Sequence, residues 1–143
     1  MTDQPNQYKF DEIKIGLEYK FKEKITESRL DSFASLSGDY NPLHMDDGYA
    51  KTTKFKKRVC HGMLLASFFS KLVGMYLPGK NALYFSQTIN FQNPCFVDDI
   101  ITVRGQVVDK SDATKIITLN TSIHNQHAMC LVDGTAKVMI RQD

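Results

Sequence analysis

Hydrophobic and polar positions change rhythm along the chain, and each change marks a different kind of element. From Glu18 to Ile25, Tyr19 and Phe21 sit between Lys20 and Lys22, the period-two pattern of a half-buried strand. Thr26 then suits a helix N-cap. Leu30, Phe33 and Ala34 recur at helical spacing, and Ser37-Gly38 supplies a stop. Residues 39–47 lose all periodicity. Pro42 removes a backbone donor and biases Asn41 toward extended angles, so neither a regular helix nor a central strand is expected there. Residues 46–51 predict a short helix whose acidic start is favoured by the helix dipole. Between His61 and Leu77 the chain is apolar nearly all round, which predicts a buried helix closed by Pro78-Gly79.

Beyond that helix the rhythm becomes that of strands. Residues 82–92, 100–109, 114–125 and 129–141 are rich in β-branched and aromatic side chains. Asn93-Pro94, Asp98-Asp99, Lys110-Ser111-Asp112 and Asn125-Gln126 separate them as turns. Ile117, Leu119, Thr121 and Ile123 alternate with Ile116, Thr118, Asn120 and Ser122, and the short connections favour antiparallel pairing. A helix apolar on every side needs cover, and a curved antiparallel sheet is the only large partner available. The fold class expected is α+β: a single domain over residues 1–143, with its core at about 10–141 and a flexible segment over residues 1–8.

Composition narrows the classes of function. A chain of 143 residues is one domain's length, enough to bury roughly two thirds of its unfolded surface. The net charge of +2 comes without a basic helix or interleaved aromatics, so no nucleic-acid partner is expected. The polar start lacks a signal-peptide core, and no run reaches the ~20 apolar residues of a membrane span. Three widely spaced cysteines, Cys60, Cys95 and Cys130, suit reduced thiols in the cytoplasm better than a disulfide framework or a zinc ribbon.

The chemistry-bearing stretch is Ser37-Gly38-Asp39-Tyr40-Asn41-Pro42-Leu43-His44, which holds a carboxylate and an imidazole five residues apart in a turn. A second landmark is Val59-Cys60-His61-Gly62-Met63-Leu64-Leu65-Ala66. Together with the order of elements, these stretches closely resemble the MaoC-like, (R)-specific enoyl-CoA hydratases, enzymes of the hot-dog fold. The resemblance spans about residues 10–140. It implies a sheet wrapped around a long central helix, a homodimer, and reversible syn hydration of trans-2-enoyl-CoA to (R)-3-hydroxyacyl-CoA. Asp98-Asp99 stands where relatives often carry a Gly-Asp turn.

Such a reaction needs a proton removed from water, a proton given to the α-carbon and a stabilised thioester oxygen. Asp39 and His44 are the catalytic candidates for the first two, each positioned proton-transfer group being worth roughly 10²–10⁴ in rate. The backbone N–H of Gly62, at the start of the buried helix, is the oxyanion candidate. Asn41 is expected to support the loop or the pair. Ser70 and Val73, on one helix face with Ala66, are proposed to set acyl-pocket depth. His61 is read as positioning its loop. No metal is expected: His124 and His127 form an HNQH pair at a turn with no third ligand. No cofactor is expected either, coenzyme A entering as part of the substrate. Lys51, Lys54, Lys56, Lys57 and Arg58 read as a solvated basic loop, also placed to meet the phosphates of coenzyme A. The alternatives are a (3R)-hydroxyacyl-ACP dehydratase of fatty acid synthesis, a hot-dog thioesterase and a non-catalytic acyl-thioester binder.

Overall fold

The computed structural model describes residues 3–143. Strand β1 (Glu18–Lys24) leads into helix α1 (Glu27–Ser37). The Thr26 hydroxyl accepts from the Arg29 N–H at the start of α1, and Gly38 ends it at φ 80°, a left-handed angle that costs glycine nothing. Helices α2 (Pro42–Met45) and α3 (Asp47–Lys51) follow, then the central helix α4 (Gly62–Lys71), which widens into a π turn over Leu72–Tyr76. Strands β2 (Ala82–Gln87), β3 (Asn90–Phe91), β4 (Ile100–Ser111), β5 (Ile116–His124) and β6 (Cys130–Ile140) complete the chain.

All pairings are antiparallel, and the sheet runs β1-β4-β5-β6-β2 with β3 also on β6. The inward positions of β4, β5 and β6 bury Val103, Leu119, Ile123 and Val138, while the residues on either side of each are partly or fully exposed. Helix α4 lies against this face through Leu65 and Phe69, and the π turn through Leu72. Gly105 permits the close approach: a Cβ there would stand 2.6 Å from Leu72 Cδ2. A second cluster, built on Phe10, Ile13, Val73 and Leu77, closes the other end of the sheet. This is the α+β hot-dog arrangement of one helix wrapped by a curved sheet.

Several expectations are corrected. The turn at 39–47 does contain a helix, because Pro42 occupies its first turn, where its missing N–H is harmless, and the Asn41 side chain caps it. The segment at 82–92 is two strands, broken at Thr88-Ile89. Strand β4 runs through Lys110-Ser111, where a turn was expected. Within the segment expected to be flexible, bonds to the fold begin at Asn6. Asn6 donates to the Met75 carbonyl through its backbone and to the Tyr76 carbonyl through its side chain, both at 2.9 Å, and Tyr8 and Tyr19 hydroxyls pair at 2.6 Å. Met1 and Thr2, the rest of the segment expected to be flexible, lie outside the described residues. Among the described residues no helix is long and apolar enough to cross a membrane.

Candidate active site

The polar end of the site is set by short-range bonds that this turn sequence makes almost unavoidable. The Asp39 carboxylate accepts from the Asn41 N–H at 3.1 Å, and the Asn41 side-chain oxygen accepts from the Leu43 N–H at 3.0 Å. Two successive Asx turns therefore fix where α2 begins and which way His44 leaves it. The ring of His44 is anchored from a distant segment, its Nδ1 lying 2.6 Å from the Val59 carbonyl. A carbonyl only accepts, so Nδ1 carries the proton, and in the neutral ring Nε2 is left as an acceptor. That Nε2 stands 3.9 Å from Asp39 Oδ2. The gap is too long for a direct hydrogen bond and fits one water bonded to both.

His61 supports the pair from beneath. Its Nε2–H donates to the Asp39 backbone carbonyl at 3.0 Å, and its ring stacks on His44 with centroids 4.2 Å apart. Burial, opposed by the bond to Asp39 and reinforced by the neighbouring His44, holds the His61 pKa below its ordinary value. Its Nδ1 is buried without a partner. Ligand atoms of Asp39, His44 and His61 all lie within 4.8 Å of one another. One nitrogen of each ring is already bonded to a backbone carbonyl, His44 Nδ1 to Val59 and His61 Nε2 to Asp39, which leaves one nitrogen per ring.

Gly62 opens α4 across the same cavity, with His61 as its N-cap. The first amide of a helix has no intrahelical acceptor, and here the missing side chain matters sterically. A Cβ on Gly62 would stand 2.7 Å from the ring of Phe91. Between these groups lies a cavity of about 440 Å³. Asp39, His44 and Gly62 line it together with apolar Phe55, Val59, Leu65, Phe91, Leu131 and Val132. It can hold a short apolar tail with a polar head turned toward Asp39 and His44.

Not every expected residue reaches this place. Ser70 is exposed and borders a different groove, with Phe33 and Tyr84, while Val73 is buried in the second core cluster with Leu77 and Val107. Eight and eleven residues beyond Gly62, at ~1.5 Å per residue, they lie roughly 12 and 16 Å along the helix, past the cavity's end at Leu65. Arg58 is not solvated: it is 6% exposed and pairs with Glu27 at 2.5 Å and with Asp47 at 3.4 Å. Lys51, Lys54, Lys56 and Lys57 are exposed as expected. Sequence reasoning missed Val59 as the anchor of His44 and Phe91 as the cover of Gly62. Both contacts join segments far apart in the chain and leave no local pattern.

The geometry has counterparts among known proteins. The chain is 38% identical over 128 residues to an (R)-specific enoyl-CoA hydratase of Aeromonas caviae, covering 90% of this chain and 96% of that relative. It is 37% identical to a protein of the same name from Rhodospirillum rubrum, covering 92% and 90%. The solved structure of R-hydratase PhaJ1 from Pseudomonas aeruginosa, unliganded, superposes with a TM-score of 0.89 at 34% identity, covering 94% of this chain and 86% of that one. A family profile described as "MaoC like domain" matches residues 10–128. The chain belongs to the family of MaoC-like domain proteins.

Proposed function

We propose that the protein is an (R)-specific enoyl-CoA hydratase, a hydro-lyase that interconverts trans-2-enoyl-CoA and (R)-3-hydroxyacyl-CoA. The names of its relatives support this activity class. The observation that carries the mechanism is the 3.9 Å gap between Asp39 and His44, on a cavity that also holds the start of α4. With both Asp39 Oδ2 and His44 Nε2 as acceptors, a water between them donates one O–H to each. Its lone pair is then free to face the cavity and attack the β-carbon. As the new C–O bond forms, one acceptor takes a proton, and a proton is returned to the α-carbon from the same side, which gives syn addition. Charge that builds on the thioester oxygen meets the Gly62 N–H and the positive end of the helix. The reaction requires no metal and no nucleotide cofactor, coenzyme A being part of the substrate.

Exposed Lys54, whose Nζ lies 5.2 Å from the ring of cavity-lining Phe55, suits the coenzyme's phosphates. The working unit is proposed to be a homodimer. Edge strand β1 is studded with Lys20, Lys22 and Lys24, which discourages pairing, whereas edge strand β2 exposes Leu83, Tyr84 and Phe85. The three free cysteines fit a reducing compartment, and the cytoplasm is the proposed location.

The test is to add crotonyl-CoA to the purified protein and follow the enoyl-thioester ultraviolet band together with free thiol. Loss of the band without thiol release is expected. Thiol release would indicate a thioesterase, and an unchanged band a non-catalytic binder. A dehydratase acting on acyl-carrier-protein substrates is distinguished by offering the same acyl group on both carriers.

A further inference from the structure

The cavity wall contains two groups that hydration does not use. Cys60 immediately precedes His61 and Gly62, and Cys95 follows Asn93-Pro94 on the segment opposite. Val59 and Phe96 form an isolated antiparallel bridge, so the next step along both segments sets Cys60 against Cys95, where the Cys60 N–H donates to the Cys95 carbonyl at 2.7 Å. Directly opposed residues project to the same side. Directly opposed residues of an antiparallel pair hold their Cα atoms roughly 4.5–5.5 Å apart, inside the window of roughly 4.4–6.8 Å that disulfides occupy. Both are free thiols, and both line the cavity.

We propose that Cys60 and Cys95 form a modification site, a cavity-wall dithiol that a small peroxide converts into an intramolecular disulfide. One sulfur attacks a peroxide oxygen and becomes a sulfenic acid, releasing one water. The second sulfur then displaces the sulfenic oxygen, which leaves as a second water when the S–S bond closes. Two thiols are oxidised by two electrons and one hydrogen peroxide is reduced. The Cys95 thiol is pushed above its ordinary pKa by hydrogen bonding with Cys60, by burial and by the neighbouring Asp99 carboxylate.

Closure of this bond acts on the proposed reacting groups through the backbone. Val59, one residue before Cys60, holds His44 through its carbonyl, and Gly62, two residues after it, begins α4. Drawing Cys60 toward Cys95 moves both anchors, and small displacements of reacting groups are costly. The crosslink stands on the thiol geometry alone, whereas its effect on turnover rests on the hydratase reading.

The experiment treats the full chain with excess hydrogen peroxide, alkylates remaining thiols and maps the non-reduced peptides. Crotonyl-CoA turnover is measured before oxidation, after it, and after dithiothreitol. The expected result is a Cys60 peptide joined to a Cys95 peptide with loss of two hydrogen atoms. Turnover should fall by roughly tenfold or more and recover on reduction. Cys95→Ala should abolish both the crosslink and the reversible fall, while Cys130→Ala keeps both. Separate alkylated Cys60 and Cys95 peptides, recovered once Cys130 is oxidised, would overturn the proposal, and a crosslink that leaves turnover unchanged would overturn its effect on the reacting groups. A reduced protein inert toward crotonyl-CoA would count against the hydratase reading, and the peptide map would still judge the dithiol.

Discussion

Asp39 and His44 are held by their surroundings and not by each other. Asn41 fixes the carboxylate, Val59 the ring, and the 3.9 Å between them is left for solvent. Gly62 is bounded just as tightly by Phe91, so Gly62→Ala should displace that ring or the helix start. Loss of one oxyanion donor typically costs about 10²–10³ in kcat, and steady-state kinetics on the folded variant measure it. His61 gives a pH signature of its own. Its folded pKa lies below the ordinary value, so the unfolded chain takes up the proton first as pH falls. Stability is therefore full above about pH 6.5 and declines below it, by at most ~1.4 kcal/mol per pH unit for one proton. His61→Gln, which keeps a side-chain donor for the Asp39 carbonyl, should flatten that window in urea unfolding curves measured on both sides of it. A wild-type midpoint that does not move across the window would contradict this role. Asp39, His44 and Gly62 were legible because their motif is local. The anchor of His44 lies 15 residues away and the partner of His61 lies 22 away, and no local spacing encodes such contacts.

At the scale of elements, the strands were the easier part to read, because one face is buried and the alternation of β5 reports it. The long apolar helix was legible as an element but not in its detail. A π turn begins at Leu72, and the face chosen for the acyl pocket runs past the cavity into the core. Val73 is 1% exposed among core residues, and its role here is packing. Val73→Ala should cost about 2 kcal/mol of stability with an unchanged acyl chain-length profile; a shifted profile would restore it to the pocket. The β5–β6 turn offers the opposite case. Asn125 Oδ1 accepts from the His127 and Met129 N–H groups, which forces Ala128 to φ 62°. An L-residue with a Cβ pays roughly 1–2 kcal/mol in that region. Ala128→Gly should therefore raise stability by about 0.5–1 kcal/mol after glycine's extra unfolded-state entropy is counted, as read from the denaturation midpoint.

For the whole molecule, the uneven sheet edges and the cavity lined by Asp39, His44 and Gly62 define what the fold is suited to do. An edge carrying Leu83 and Phe85 at 51% and 63% exposure wants cover, and the proposed cover is a second copy. Light scattering should report a dimer at micromolar concentration, and Phe85→Glu together with Leu83→Lys should shift it toward monomer; a monomeric parent would contradict the assembly. The motif foretold the architecture, since it lies in register with the elements around it. The edge chemistry needed the observed register of β2 on β6. The most direct measurement compares initial rates of crotonyl-CoA hydration by the parent, Asp39→Ala and His44→Ala, each checked for native folding by circular dichroism. The account predicts that each variant loses about 10²–10⁴ in kcat. Folded variants that hydrate crotonyl-CoA as fast as the parent would contradict it.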